Sequence, residues 1–169
     1  MAIPEKTIGQ RVPDTSFQIR RDGGWATLTT SEIFSGKRVV VFALPGAFTP
    51  TCSSTHLPGY AAGIERLHDT GIEAICCLSV NDSFVMNAWA EGLGIDDRIT
   101  MIPDGNADFT REMGMLVDKS HLGFGDRSWR YSMVVEDGVI TALFSEDRAD
   151  LGDPFAVSDI ETMLHHLEE

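Results

Sequence analysis

The apolar and polar positions of this chain fall into segments of two different periods. Arg38-Val39-Val40-Val41-Phe42-Ala43-Leu44 is a nearly unbroken apolar run bounded by Gly36-Lys37 and Pro45-Gly46, which predicts a buried strand. From Cys52 to about Asp69 the pattern changes, and Leu57, Tyr60, Ala61, Ile64 and Leu67 recur mostly three or four positions apart, as on one buried helix face. Ala74-Ile75-Cys76-Cys77-Leu78-Ser79-Val80 is apolar at both parities and predicts a central strand. Asn81 or Asp82 then caps a helix to about Gly92, with Phe84, Val85, Ala88 and Trp89 as its apolar surface. Thr100-Met101-Ile102 reads as a further strand, followed by the turn Pro103-Asp104-Gly105 and a short helix near Asp108–Met113.

Both ends of the chain add hairpin and cap signals. Ser16–Arg20 and Trp25–Leu28 flank Arg21-Asp22-Gly23-Gly24, predicting an N-terminal β-hairpin, and Thr30 or Ser31 caps a brief helix through Phe34. Arg130–Val135 and Val139–Phe144 flank Glu136-Asp137-Gly138, a strong hairpin signal. Ser158-Asp159-Ile160-Glu161 has the form of a capping box opening a closing helix. The order predicts an α/β fold, and with no charged or Pro/Ser-rich linker, residues 1–169 read as one domain.

Charge and cysteine count narrow the classes of function. Thirteen Lys+Arg against 26 Asp+Glu give a formal charge of −13, which argues against nucleic acid or an anionic membrane as the main partner. No basic start precedes an apolar core and no apolar run reaches membrane-span length, so a cytoplasmic location is the default expectation. Three cysteines, two of them adjacent, do not form the framework of a secreted disulfide protein.

The chemistry concentrates in Pro45-Gly46-Ala47-Phe48-Thr49-Pro50-Thr51-Cys52, which delivers a cysteine to a helix start just after a strand. The thiolate is the reactive form of cysteine, and the unpaired N–H groups of a helix N-terminus favour an anion. An inert packing cysteine is the alternative, but it needs no run of two prolines, a glycine and two threonines ahead of it. Thr49 carries a hydroxyl that both donates and accepts, and Pro45 restricts the loop and shields it from water.

Pro45-x-x-x-Thr49-x-x-Cys52 resembles the active-site signature of the peroxiredoxins, thiol peroxidases with a thioredoxin-like fold. The string through Ser53, with His56, Pro58 and Gly59, is similar to the atypical peroxiredoxin 5 or type II subfamily, as are Leu78-Ser79-Val80-Asn81-Asp82 with Phe84-Val85-Met86 and Trp89, and Arg130-Tyr131-Ser132-Met133-Val134-Val135. The resemblance implies a central mixed sheet flanked by helices, no cofactor, no metal, and a homodimer in which Phe48, Phe84 and Trp89 are interface candidates. It puts an arginine beside the sulfur at Arg130, with Arg127, in the preceding turn where side chains are usually solvated, as the local competitor.

The implied reaction is attack of the Cys52 thiolate on a hydroperoxide, giving a sulfenic acid, with Thr49, Arg130 and backbone N–H groups near Thr51 and Cys52 binding the peroxide oxygens. Some members carry a resolving cysteine in the C-terminal segment, whereas this chain has no cysteine after Cys77. Strand alternation sends Cys76 and Cys77 to opposite faces, so one of them at most approaches Cys52. An external thiol is therefore the expected reductant, and the resemblance to subfamily members that lack a resolving cysteine implies glutathione with glutaredoxin ahead of thioredoxin. A thioredoxin-reduced enzyme with Cys77 as resolving residue and a noncatalytic redox sensor remain as alternatives.

Other patterns are weaker. A disulfide reductase needs Cys-x-x-Cys, where this chain has Cys52-Ser53-Ser54-Thr55. Gly123-x-Gly125-x-x-Ser128 does not follow an evident strand and open a long helix, so it reads as a turn leading to Arg130. Cys52-x-x-x-His56 lacks a second cluster that would complete a metal site, which leaves His56 to contact the loop or a partner, and His165-His166 reads as solvated.

Overall fold

The computed structural model describes residues 4–150 and 152–169. Its first elements are the antiparallel pair β1 (Ser16–Arg21) and β2 (Gly24–Thr29), turned by Asp22 and Gly23 at positive φ. Helix α1 (Thr30–Phe34) is capped by Thr29, one residue before Thr30 and two before Ser31, the expected positions. The Thr29 side chain accepts from Glu32 N while the Glu32 carboxylate accepts from Thr29 N, a reciprocal capping box.

The main sheet has five strands in the order β5-β4-β3-β8-β9. Strands β3 (Arg38–Leu44), β4 (Ala74–Ser79) and β5 (Ile99–Pro103) run parallel, and β8 (Tyr131–Glu136) and β9 (Val139–Ser145) continue the sheet antiparallel. Asp137 and Gly138, both at positive φ, close the β8–β9 hairpin as its sequence signal anticipates. Val40, Phe42, Leu44, Ile75 and Cys77 point to one face of the sheet, and Val39, Val41, Ala43, Cys76 and Leu78 to the other. Alternation thus puts Cys77 on the Cys52 side and Cys76 on the opposite side.

The helix expected from Cys52 to Asp69 is not continuous. A π-helical turn, Cys52–His56, leads into α2 (Leu57–Ala62), and Gly63 separates α2 from α3 (Ile64–Asp69). Pro58 has no N–H for the carbonyl of residue 54 and its ring crowds that carbonyl, so the turn widens and Leu57 N bonds back to Cys52 O. At Gly63 a Cβ would lie 2.8 Å from Ile160 Cγ1 of the closing helix α6 (Ile160–Leu167), so close packing demands glycine there.

Helix α4 (Ser83–Gly92) is capped by Asp82, whose Oδ1 accepts from Val85 N. After α5 (Asp108–Glu112) comes a small antiparallel pair that the sequence reading did not anticipate, β6 (Leu116–Asp118) with β7 (Asp126–Ser128). Gly123 and Gly125 take positive φ in the connection between them, so this stretch is a turn. At α6 the cap is Asp159, which accepts from Thr162 N, while Ser158 is engaged elsewhere and forms no capping box. Among the described residues no helix is long and apolar enough to cross a membrane.

Candidate active site

The loop from Pro45 to Pro50 leaves the end of β3 and is held by Asn81, by Arg127 and by bonds of its own. Asn81 Oδ1 accepts from Ala47 N at 2.9 Å and from Ser79 Oγ at 2.6 Å, so the Ser79-Val80-Asn81-Asp82 stretch pins the loop with Asn81 and caps α4 with Asp82. Arg127 Nη1 donates to Pro45 O at 3.2 Å from the opposite side. Within the loop, Thr49 Oγ1 donates to Gly46 O at 2.7 Å and Ser53 N to Thr49 O at 2.9 Å. Phe48 sits at φ 66°, a strained conformation for a bulky residue, and is 61% exposed.

Cys52 lies in the first turn of the helical segment that begins at Pro50, and its sulfur is shut off from bulk water. Pro45 is buried, whereas Thr49 and Thr51 are half-buried. Arg130, the residue just before β8, reaches the sulfur: its Nη2 lies 3.3 Å from Cys52 Sγ, and its side chain is buried. A residue 78 positions away in sequence is thus brought into hydrogen-bond contact by the pairing of β3 with β8.

Two further groups hold Arg130 from behind. His56 Nδ1 is 2.9 Å from Arg130 Nη1, and the other ring nitrogen, Nε2, is 3.1 Å from Ser158 O. A carbonyl only accepts and a guanidinium only donates, so Nε2 carries the proton and Nδ1 is the acceptor. Burial and then the charge of Arg130 pull the His56 pKa down to about 3, which keeps the ring neutral at ordinary pH. Asp153 accepts from Arg130 Nη2 at 2.8 and 2.9 Å and from Nε at 3.2 Å.

Arg127 is not the solvated residue that its turn position suggested. It lies in β7, donates to Phe124 O and Pro45 O, and is half-buried; burial lowers its pKa while the nearby Cys52 sulfur opposes that shift. A Cβ at Gly46 would come 2.5 Å from Arg127 Nη1, so a side chain there would displace the end of Arg127. Burial drives the Cys77 thiol well above its usual range, and the charges of Cys52 and Cys76 add to the effect.

Trp89 belongs to the core, with Nε1 donating to Ser53 Oγ at 3.0 Å, whereas Phe84 is exposed. Sequence reasoning missed Asp153 and the anchoring role of Ser158, and it left the contact of His56 open. An acidic residue directly before Pro154 was the one local signal, and it carries no mark of a partner at Arg130.

The sequence profile of the Redoxin family matches residues 7–164. A peroxiredoxin of Synechocystis sp. is 51% identical over 170 residues, covering 98% of this chain and 89% of that protein. The chain belongs to the peroxiredoxins. The hybrid peroxiredoxin hyPrx5 of Haemophilus influenzae is 53% identical, and the match covers 94% of this chain but only 65% of that longer protein. Among solved structures, reduced Prx3 of Vibrio vulnificus in complex with hydrogen peroxide superposes with a TM-score of 0.89 at 41% identity, covering 96% of this peroxiredoxin and 99% of that chain. Members of this family are thiol peroxidases, so a peroxide substrate and a thiol reductant follow from the membership. The thioredoxin-like α/β fold and the N-terminal hairpin agree with the sequence expectation.

Proposed function

We propose that Cys52 is the peroxidatic residue of a thiol peroxidase that reduces hydrogen peroxide and organic hydroperoxides. The observation that carries this reading is the 3.3 Å contact from Arg130 Nη2 to Cys52 Sγ inside a buried site. A guanidinium hydrogen bond favours the sulfur as thiolate, the form that attacks. The peroxide enters past Thr49 and Thr51, which are both half-buried.

The Cys52 thiolate forms a bond to one peroxide oxygen as the O–O bond breaks, and the departing oxygen leaves with the electron pair of that bond. Protonation turns it into water or an alcohol, and sulfur is left as sulfenic acid. Arg130 and the backbone N–H groups near Thr51 and Cys52 stabilise the charge that develops on the departing oxygen. The Thr49 proton is committed to Gly46 O, so Thr49 Oγ1 acts here as an acceptor for the O–H of the incoming peroxide. Pro45, buried and braced by Arg127, keeps water from the sulfur.

An external thiol then reduces the sulfenic acid. The first thiol forms a mixed disulfide with Cys52 and releases water, and a second thiol frees Cys52 and leaves as a disulfide. Glutathione with glutaredoxin is the proposed donor system. Cys77 shares the Cys52 face of the sheet, which favours a resolving role, but it is fully buried in a central strand and burial keeps it a neutral, poorly nucleophilic thiol. Exposed Phe48 and Phe84 support a homodimer, and the acidic composition and three free cysteines support a cytoplasmic location.

Peroxide consumption with glutathione and glutaredoxin, then with thioredoxin and its reductase, tests the reading in wild type and Cys52→Ser. Turnover by wild type with the glutathione system and none by Cys52→Ser is expected. Full turnover by Cys52→Ser overturns the site, and faster turnover with thioredoxin overturns the choice of donor.

A further inference from the structure

Arg130 is held more tightly than contact with a sulfur requires. A guanidinium has five N–H groups. Nε–H and one Nη2–H fork onto the Asp153 carboxylate, the other Nη2–H faces Cys52 Sγ, and one Nη1–H meets His56 Nδ1. One Nη1–H is left over for a substrate oxygen.

The segment that carries Asp153 is itself tied down at its far end. Glu146, buried at the end of β9, accepts from Ala156 N, Val157 N, Ser158 N and Ser158 Oγ at 2.6–2.9 Å. That fixes the Ser158 carbonyl, which in turn receives His56 Nε2 and Tyr60 Oη. Phe155 packs its ring centroid 4.9 Å from that of His56 and 5.6 Å from Arg130 Cζ.

At its near end the segment is strained. Asp153 adopts φ 59° although Pro154 follows it, and a residue before proline is normally extended. A strained backbone persists only where its surroundings over-determine it, and here the surroundings are the Arg130 fork and the Glu146 anchor.

We propose that the segment from Asp153 to Ser158 is a strap that positions Arg130 for the peroxide, with Asp153 as its positioning residue. This rests on the reading of Cys52 and Arg130 as the peroxide site. Arginine has a long, flexible stem, and a single sulfur contact leaves the guanidinium plane free to turn. The Asp153 fork on one edge and His56 on the other fix that plane, so that one N–H is aimed at sulfur and another at the substrate oxygen. Small misplacements of such groups cost large factors in rate.

The test measures single-turnover oxidation of the reduced full chain by hydrogen peroxide in wild type, Asp153→Ala, Asp153→Asn and Arg130→Ala. Circular dichroism and the rate of Cys52 alkylation by iodoacetamide accompany it. Asp153→Ala is expected to slow peroxide oxidation about tenfold or more, and Asp153→Asn, which keeps an oxygen acceptor for the fork, by about threefold at most. Alkylation, which needs no guanidinium contact to oxygen, changes less, so the peroxide-to-alkylation ratio falls in Asp153→Ala and recovers in Asp153→Asn. A role confined to holding the loop would move both rates together. Wild-type oxidation in Asp153→Ala alongside a slow Arg130→Ala overturns the strap and leaves the site reading standing. Wild-type rates in both overturn the site reading itself, and equal losses in Asp153→Ala and Asp153→Asn refute positioning through the fork.

Discussion

Arg130 Nη1 and His56 Nδ1 meet at 2.9 Å in a bond that only one protonation state of each side chain permits. The guanidinium donates, the imidazole accepts, and the Ser158 carbonyl holds the remaining ring proton. Protonating His56 would put two cations face to face in a buried site. The histidine therefore stays neutral in the folded protein, at a cost to stability once the pH falls below the value at which it would protonate in the unfolded chain.

That cost has a defined sign. The His56 pKa drops from 6.5 to about 3 on folding, so between these values the unfolded state binds more protons and stability falls as pH falls. By pH 5 the loss from this one group is about 2 kcal/mol relative to neutral pH. Urea unfolding at pH 7.5 and pH 5 is expected to show that loss in wild type and much less of it in His56→Gln, which keeps an acceptor for Arg130. Parallel losses in the two proteins would contradict the assignment of a neutral His56.

Gly46 gives a second test. Its missing Cβ makes room for Arg127 Nη1, and Thr49 Oγ1 donates to its carbonyl. Gly46→Ala is expected to push Arg127 off Pro45 and to slow peroxide oxidation about tenfold or more, with the sheet intact by circular dichroism. A wild-type rate in Gly46→Ala would show that the Arg127 brace does not shape the loop.

Cys77 separates internal from external resolution. With its thiol buried and held neutral, Cys77→Ala is expected to retain steady-state turnover with glutathione and glutaredoxin within about twofold. Loss of turnover in the folded variant would assign the resolving step to Cys77.

The strands of the main sheet were legible because β-branched runs bounded by Gly and Pro allow few other readings, as Arg38–Leu44 illustrates. The helix after Cys52 was read as one piece because Tyr60, Ala61, Ile64 and Leu67 keep their common face across the break, which Pro58 and the approach of Ile160 to Gly63 impose. The loop, Cys52 and Thr49 stood out because rare residue types crowd together there. Arg130 required the family resemblance, since only the β3–β8 pairing brings it to the sulfur. Asp153, Ser158 and Glu146 had no local pattern to reveal them, and the His56–Ser158 bond spans 102 positions. Arg127 was misjudged because β6 and β7 are three-residue strands, too short to show a period.

The most direct measurement is peptide mass analysis of the reduced protein after one equivalent of hydrogen peroxide in the presence of glutathione, under nonreducing conditions. A single glutathione on Cys52, with Cys76 and Cys77 unmodified, is the expected result. A disulfide between Cys52 and Cys77, or oxidation at Cys76 or Cys77 with Cys52 still free, would contradict the account.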